Sequence, residues 1–101
     1  MTQKQLVTRI QSEAARVAER VPRAVWYLFG SALRDVVLAA DIDVLVLCET
    51  DEEVVSVRAE LKSLCQALPM HLFLLTRAED AELGFVSGQG CVQIYPDVGE
   101  I

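Results

Sequence analysis

The pattern of apolar positions predicts an amphipathic helix over residues 3–20. Apolar residues recur there at steps of three or four, namely Leu6, Ile10, Ala14, Val17 and Val21. This spacing places them on one face of a helix. Thr2 and Gln5 stand at the spacing of a capping box, in which each side chain accepts a hydrogen bond from the other residue's backbone N–H. Pro22 ends the pattern because proline cannot continue the helical hydrogen-bond ladder.

Short apolar segments further along the chain predict β-strands. Residues 24–29 (AVWYLF), 42–48 (IDVLVLC) and 70–75 (MHLFLL) are apolar and too short for independent helices. Residues 91–95 (CVQIY) alternate weakly and stand before Pro96, which favours a last strand at the edge of a sheet. An apolar edge of this kind also offers a place where a second copy would pair, so a homo-oligomer is one expectation.

Helix signals occupy the stretches between the first three strands. A short helix is expected to start at Ser31 and to run through SALRDVV. Thr50 and Glu53 repeat the capping-box spacing, and apolar residues follow at helical intervals as far as Pro69. The second of these stretches therefore predicts one helix between the strands 42–48 and 70–75.

The last part of the chain completes an alternating order of helices and strands. Thr76 and Glu79 form a third capping-box pattern, which opens a short helix to about Phe85, and the sequence SGQG at residues 87–90 predicts a turn. Helices that alternate with strands indicate an α/β fold. We expect a small mixed sheet of about four strands flanked by helices.

Length and composition indicate one domain over residues 1–101, with 52% hydrophobic and 24% charged residues. No apolar run approaches the roughly 20 residues of a membrane span, so no membrane association is expected. The N-terminal stretch is too polar and too periodic for a signal peptide. A cytoplasmic location is the resulting expectation.

Charge and cysteine content argue against two kinds of partner. The net charge of −6 disfavours direct binding to DNA or RNA, which requires basic residues against the phosphates. An odd number of cysteines without a CxxC pair argues against a disulfide framework or a zinc site. Cys48 and Cys65 lie in apolar patterns and are interpreted as small core residues.

Asp41 and Asp43 are the first candidate functional residues. They lie two positions apart where the strand 42–48 begins, so their side chains point to the same side. Two carboxylates held this close repel each other unless a cation lies between them. Oxygen ligands of this kind suit Mg²⁺, which commonly uses one or two carboxylates together with substrate phosphates.

Gly30 and Ser31 are the second candidate pair. Glycine at the end of the strand 24–29 allows a sharp turn and the close approach of a ligand. If Ser31 opens a helix, its free amides favour an anion such as a phosphate. Both pairs together indicate a nucleoside-triphosphate site for metal-assisted phosphoryl transfer.

These residues resemble the motifs of the minimal nucleotidyltransferases, a small branch of the DNA polymerase β-like nucleotidyltransferase superfamily. A strand ending in FGS is followed by a strand that opens with DIDVLVL. The order of a preceding helix, these strands, a further helix and strand, and a terminal VQIY is similar to that branch over nearly the whole chain. The resemblance implies the palm-like nucleotidyltransferase fold of polymerase β.

The resemblance implies Mg²⁺-dependent transfer of a nucleoside monophosphate from an NTP, expected to be ATP, to a hydroxyl acceptor. Gly30 and Ser31 match the residues that hold the triphosphate, and Asp41 and Asp43 match the catalytic pair that ligates the metal. Arg34 matches the arginine of the loop between the two motifs. Family members of this size often work beside a HEPN-type helical protein in toxin–antitoxin pairs, so an antitoxin-like role with such a partner is implied.

Two departures from the family's pattern are visible. The third carboxylate is expected on the strand 70–75, which contains no Asp or Glu and whose only polar residue is His71. Acids on the following helix would have to reach back to replace it: Glu79, Asp80 and Glu82. In the loop between the motifs, Asp35 and Ala40 stand where Gly and Ser are usual. The alternative function is therefore a catalytically weak nucleotide-binding or protein-interaction module of the same fold.

Structural interpretations stand beside the functional ones. The paired aspartates are also compatible with polar residues that face solvent at a strand entry, and Ser31 with a helix N-cap. His71 has three interpretations: a polar residue at a strand edge, a substitute for the missing carboxylate, or a titrating partner of the aspartates. Arg34 either contacts phosphate or lies on a solvated helix face.

Overall fold

Residues 2–34 and 41–96 are described by the computed structural model of the chain, in which helices pack on a single four-stranded sheet. Asp35 and Ala40, which depart from the family pattern, lie outside the described residues. The elements in chain order are α1 (Gln3–Val17), β1 (Val25–Phe29), a 3₁₀ turn (Gly30–Leu33), β2 (Ile42–Cys48), α2 (Asp51–Glu60), α3 (Lys62–Ala67), β3 (Met70–Thr76), α4 (Arg77–Leu83), α5 (Phe85–Gly88) and β4 (Val92–Tyr95).

The sheet is mixed, with the strand order β3-β2-β1-β4. Strand β1 runs antiparallel to both β2 and β4, whereas β2 and β3 are parallel and joined by the crossover through α2 and α3. Phe29 of β1 lies opposite Asp43 of β2, and Asp43 in turn lies opposite His71 of β3. The predicted α/β class, the mixed sheet and the edge position of the last strand are confirmed.

The larger core lies between one face of the sheet and the helices α1, α2 and α3. Its buried side chains alternate along the strands, because residues two apart point to the same face. Trp26 and Leu28 of β1 meet Val44 and Val46 of β2 there. The helices contribute the apolar stripes that the sequence predicts, including Leu6, Ile10, Ala14, Val17, Val57, Leu61 and Leu64.

A smaller cluster covers part of the opposite face. Phe29, Leu45 and Leu47 are buried there, and α5 packs against them through Phe85 and Val86. Asp43 shares this face with Leu45 and Leu47, since it stands at alternate positions of the same strand. The smaller core therefore ends at the aspartates.

The capping boxes predicted at α1, α2 and α4 are all present, with Thr2, Thr50 and Thr76 as the N-caps. Between the strands β2 and β3, however, the prediction of one continuous helix is wrong. The chain leaves helical geometry at Leu61, whose φ and ψ are −97° and 4°. Leu61 is fully buried, so the interruption keeps the apolar stripe turned toward the sheet across both helices.

The expected helix at Ser31 is also wrong within the described residues. A single 3₁₀ turn starts one residue earlier at Gly30, Phe29 is its N-cap, and Ser31 lies inside the turn. Gly30 has a φ of +78°, a left-handed conformation that residues with a Cβ rarely adopt. The change of direction therefore takes place at the glycine, and Ser31 does not cap a helix.

Helix α4 ends at Leu83 rather than near Phe85, because Gly84 adopts the left-handed conformation that closes helices. Ser87 and Gly88 belong to α5, so only the second half of the predicted SGQG turn is a turn. Cys48 is buried as predicted, and Cys65 is half-buried. Among the helices of the described residues, none is long and apolar enough to cross a membrane.

Candidate functional site

Candidate residues from three strands meet at one end of the sheet. Strand β1 finishes there with Phe29, Gly30 follows it, and the first residues of the antiparallel strand β2, including Asp43, lie beside them. Strand β3 runs parallel to β2, so its first residues, including His71, lie at the same end. Topology alone thus brings together Gly30, Asp43 and His71, which are far apart in the sequence.

Gly30 lies directly against the carboxylate of Asp43. A Cβ atom placed on Gly30 would collide with Asp43 Oδ2 and would stand 3.3 Å from Asp43 Cγ. Two requirements therefore restrict this position to glycine: the left-handed φ and the lack of space for a side chain. One residue of each candidate pair, Gly30 and Asp43, is therefore in direct contact with the other.

His71 lies between the two aspartates. Its Nε2 atom is 3.6 Å from Asp41 Oδ1, and its Nδ1 atom is 3.6 Å from Asp43 Oδ1. Both separations are too long for hydrogen bonds but short enough for ion pairs when the ring is protonated. The side chains of Asp41 and His71 are 49% and 59% exposed, whereas that of Asp43 is 24% exposed. The group therefore opens to solvent, with Asp43 at its inner end.

Ser31 lies in the 3₁₀ turn that starts at Gly30, and Arg34 is the residue that ends it. Both residues are exposed, and the Arg34 backbone N–H donates to the Ser31 carbonyl over 3.0 Å. Gln3 of α1 donates from Nε2 to the carbonyl of Leu33 over 2.8 Å, which ties the turn to the first helix. The turn therefore holds Ser31 and Arg34 on the chain segment next to Asp43.

Two of the three acids on α4 that were considered as replacements for the third carboxylate have other hydrogen-bond partners. Glu79 accepts a hydrogen bond from the Thr76 backbone N–H over 2.8 Å, in the capping box of α4. Asp80 accepts from the Val86 backbone N–H over 2.9 Å. Both bonds stabilise the local path of α4 and α5. His71, in contrast, directly faces the aspartates.

As a metal site, this group supplies two carboxylates and one imidazole. Among the described residues there is no group of three or more His, Cys, Asp or Glu side chains that could hold a metal ion by themselves. Mg²⁺ needs fewer protein ligands, because it keeps several waters and commonly takes one or two carboxylates together with substrate phosphates. The pair Asp41 and Asp43 fits that requirement, whereas the imidazole of His71 is a weaker ligand for Mg²⁺ than a carboxylate.

Three phenylalanine rings beside the aspartates were missed by the sequence analysis. The rings of Phe29 and Phe73 meet edge-on with centroids 5.3 Å apart, and Phe85 packs against Phe29 at 5.2 Å. Phe73 shares its face of β3 with His71, and 39% of it is exposed. Period-two alternation places residues 71 and 73 on one face, so the sequence held the signal for Phe73. The approach of Phe85 depends on the bend at Gly84.

Comparisons with known proteins give no identification. No family model matches the chain, and neither any curated protein nor any solved structure matches it.

Proposed function

We propose that the chain is a Mg²⁺-dependent nucleotidyltransferase with the minimal nucleotidyltransferase fold, which transfers a nucleoside monophosphate from an NTP to a hydroxyl acceptor. The observation that carries the proposal is the contact between Gly30 and the carboxylate of Asp43. The two motifs on which the family resemblance depends are separated in sequence, yet they touch in the fold. The mixed sheet flanked by helices is also the arrangement that the resemblance implies.

Each residue has a defined task in this proposal. Asp41 and Asp43 would hold Mg²⁺, which supplies charge neutralisation for the triphosphate oxygens. Because Gly30 has no side chain, the carboxylate of Asp43 lies directly against the start of the turn, and Arg34 at the end of the same turn supplies a positive charge for the phosphates. The exposed ring of Phe73 offers an apolar surface on which a nucleobase stacks. ATP as the NTP and a HEPN-type partner come from the resemblance.

A second candidate function is a nucleotide-binding or protein-interaction module of the same fold with little catalytic activity. The observation that favours it is His71, which faces the aspartates at the place where the family has its third carboxylate. Loss of one group that stabilises charge in the transition state costs on the order of 10²–10³ in rate. Binding of a nucleotide needs no such group, so it would survive.

Label transfer from ATP distinguishes the two functions. The full chain is incubated with α-labelled ATP and Mg²⁺ or Mn²⁺, with and without a helical partner encoded beside it, and labelled products are separated. The transferase predicts incorporation that Asp41→Asn with Asp43→Asn reduces by at least about 100-fold. The matched control, Asp51→Asn with Glu52→Gln, removes two exposed acids at the start of α2 and should leave transfer unchanged.

Nucleotide affinity, measured by calorimetry on the same variants, assigns the remaining outcomes. Binding without transfer, lost in the Asp41→Asn and Asp43→Asn double variant, supports the module and contradicts the transferase. Neither transfer nor nucleotide binding, with a folded protein by circular dichroism, contradicts the transferase and the nucleotide-binding module and leaves the protein-interaction module. Transfer that survives the double change would show that the aspartates are not the catalytic pair.

A further inference from the structure

A groove of about 520 Å³ lies on the side of the molecule away from the aspartates, between the outer surfaces of α2 and α3 and the edge strand β3. Its floor is apolar, with Val55 and Ala59 from α2, Cys65 from α3 and Leu72 from β3. Val55 is 67% exposed, although it is an aliphatic residue on a helix whose inner face is already buried. The groove therefore offers apolar surface that residues 2–34 and 41–96 leave uncovered.

The helices that line this groove carry two stripes of side chains. One stripe, with Val57, Leu61 and Leu64, is buried against the sheet. The other runs along the outside through Val55, Ala59 and Lys62, again at steps of three or four. Val55 and Ala59 stand four positions apart on α2 and form a ridge against which the side chains of another helix pack, and Lys62 lies beyond the break at Leu61, at the start of α3. The small side chain of Ala59 allows a close approach.

The charged side chains of this groove are basic, whereas the chain as a whole is acidic. The chain carries a net charge of −6, but the charged residues of the groove are the basic pair Arg58 and Lys62. Both are exposed, and no ion pair joins either of them to another of the described residues. An occupant with carboxylates beside its apolar side chains would match this local charge.

We propose that this groove is a docking site for an acidic amphipathic helix of a protein partner. Six of the seven side chains that line the groove belong to α2 and α3, which favours helix-against-helix packing over the addition of a strand to β3. Aliphatic side chains of the partner would lie over Val55, Ala59 and Leu72. Its glutamates or aspartates would pair with Arg58 and Lys62. The proposal is independent of the transferase function.

A second copy of the chain fits the groove less well. A two-fold symmetric contact through the same stripe would bring Arg58 and Lys62 of one copy near the same residues of the other, and these like charges repel. The expected partner is therefore a different protein.

The test uses two helical peptides of about 15 residues with leucine at every third or fourth position. One carries glutamates beside the leucines, and the other carries lysines at the same positions. Fluorescence anisotropy with the full chain should show about tenfold tighter binding of the glutamate peptide. The net charge of −6 would by itself favour the lysine peptide. Tighter binding of the glutamate peptide would therefore report the local charge of the groove and not the charge of the whole chain.

Charge reversal provides the matched comparison. Arg58→Glu with Lys62→Glu should invert the preference for the two peptides. Arg9→Glu with Arg23→Glu changes the net charge equally at exposed positions outside the groove and should leave the preference intact. Val55→Glu should lower the affinity for the glutamate peptide about tenfold. Val92 is an exposed valine on the opposite edge strand, and Val92→Glu should leave that affinity unchanged.

Cysteine labelling reports the location of the bound peptide. The glutamate peptide should slow modification of Cys65, which lines the groove, and leave Cys91, which packs on the other face, unchanged. Equal binding of the two peptides, no binding, or a preference that survives the reversal at Arg58 and Lys62 would overturn the proposal. Self-association that Val55→Glu abolishes would also overturn it, because the occupant would then be a second copy.

Discussion

The two ends of the parallel strands β2 and β3 both carry acidic side chains, in opposite settings. At the carboxyl ends, Glu53 Oε1 accepts from the backbone N–H groups of Glu49 and Thr50 over 2.7 and 3.2 Å. Glu79 caps α4 in the same way, and Glu49 pairs with Arg77. At the amino ends, Asp41 and Asp43 lie side by side around His71, with no hydrogen bond among the three side chains.

This difference indicates which acids serve the fold. In parallel sheets a ligand site commonly lies outside the carboxyl ends of the strands, where helix N-termini offer free N–H groups. Here Thr50 and Thr76 accept from the third N–H group of each helix, and their glutamate partners accept from the N-cap N–H. Among the described residues, the side chains of Asp41 and Asp43 accept no comparable hydrogen bond from the backbone, and the carboxylate of Asp43 lies against Gly30. A ligand is therefore expected at the amino ends.

The largest effect is expected at Gly30, where the amino-end site is tightest. Gly30→Ala should lower the free energy of unfolding by about 2 kcal/mol, because it adds left-handed strain and displaces the carboxylate of Asp43. Gly84→Ala is the matched control, since Gly84 has a similar φ of +61° but open space around it, and should cost only about 1 kcal/mol. Urea denaturation measures both.

A double variant tests the cause of that effect. Asp43→Ala removes the carboxylate that the new Cβ would meet, so Gly30→Ala should cost no more than Gly84→Ala in that background. An undiminished cost would mean that Gly30 serves the turn alone and that its contact with Asp43 is incidental.

A smaller effect is expected at the carboxyl ends. Thr50→Ala removes the acceptor for the Glu53 N–H and should lower the free energy of unfolding by about 1 kcal/mol. Thr50→Ser keeps that acceptor and should be nearly neutral. Asp41→Ala, at the amino end, should change stability by less than about 0.5 kcal/mol. A loss for Asp41→Ala as large as that for Thr50→Ala would remove the contrast between the two ends.

The smallest effect concerns pH at the carboxyl end of β2. Burial, with a contribution from Glu53, raises the pKa of the Cys48 thiol to about 11. The unfolded thiol has a pKa of about 8.5, so this stabilisation is complete below about pH 8.5 and is lost as the pH rises toward 11. Near about pH 9, the free energy of unfolding should have fallen by about 0.8 kcal/mol more in the wild type than in Cys48→Ala. Parallel curves for the two proteins would contradict the assignment.

Local signals predicted much of the fold. The bounds of β2 are those of the apolar run 42–48, and the capping boxes follow from Thr and Glu or Gln at fixed spacing. The helix break at Leu61 and the 3₁₀ turn at Gly30 were not predicted, because each depends on the position of neighbouring elements in the fold. The local sequence does not show that Leu61 interrupts a helix, nor that Gly30 contacts Asp43 on the neighbouring strand.

The candidate site was predictable in part for the same reason. The shared direction of Asp41 and Asp43 follows from strand alternation, whereas the contact of Asp43 with Gly30 depends on the antiparallel pairing of β1 with β2. That His71 lies between them depends on the parallel register of β3 against β2, which the sequence does not encode locally. Packing of Phe85 onto Phe29 likewise requires the path of α4 across the sheet.

Paramagnetic broadening by Mn²⁺ in the presence of ATP tests the central claim most directly, because it locates the metal on the molecule. In an amide-resolved NMR spectrum, substoichiometric Mn²⁺ with ATP should first broaden the signals of Gly30, Asp43 and His71. The acidic residues 49–53 at the opposite end provide the internal comparison, since they have at least equal local negative charge. Broadening that begins at residues 49–53, or that spreads evenly over the acidic surface, would contradict a metal–nucleotide site at the amino ends of β2 and β3.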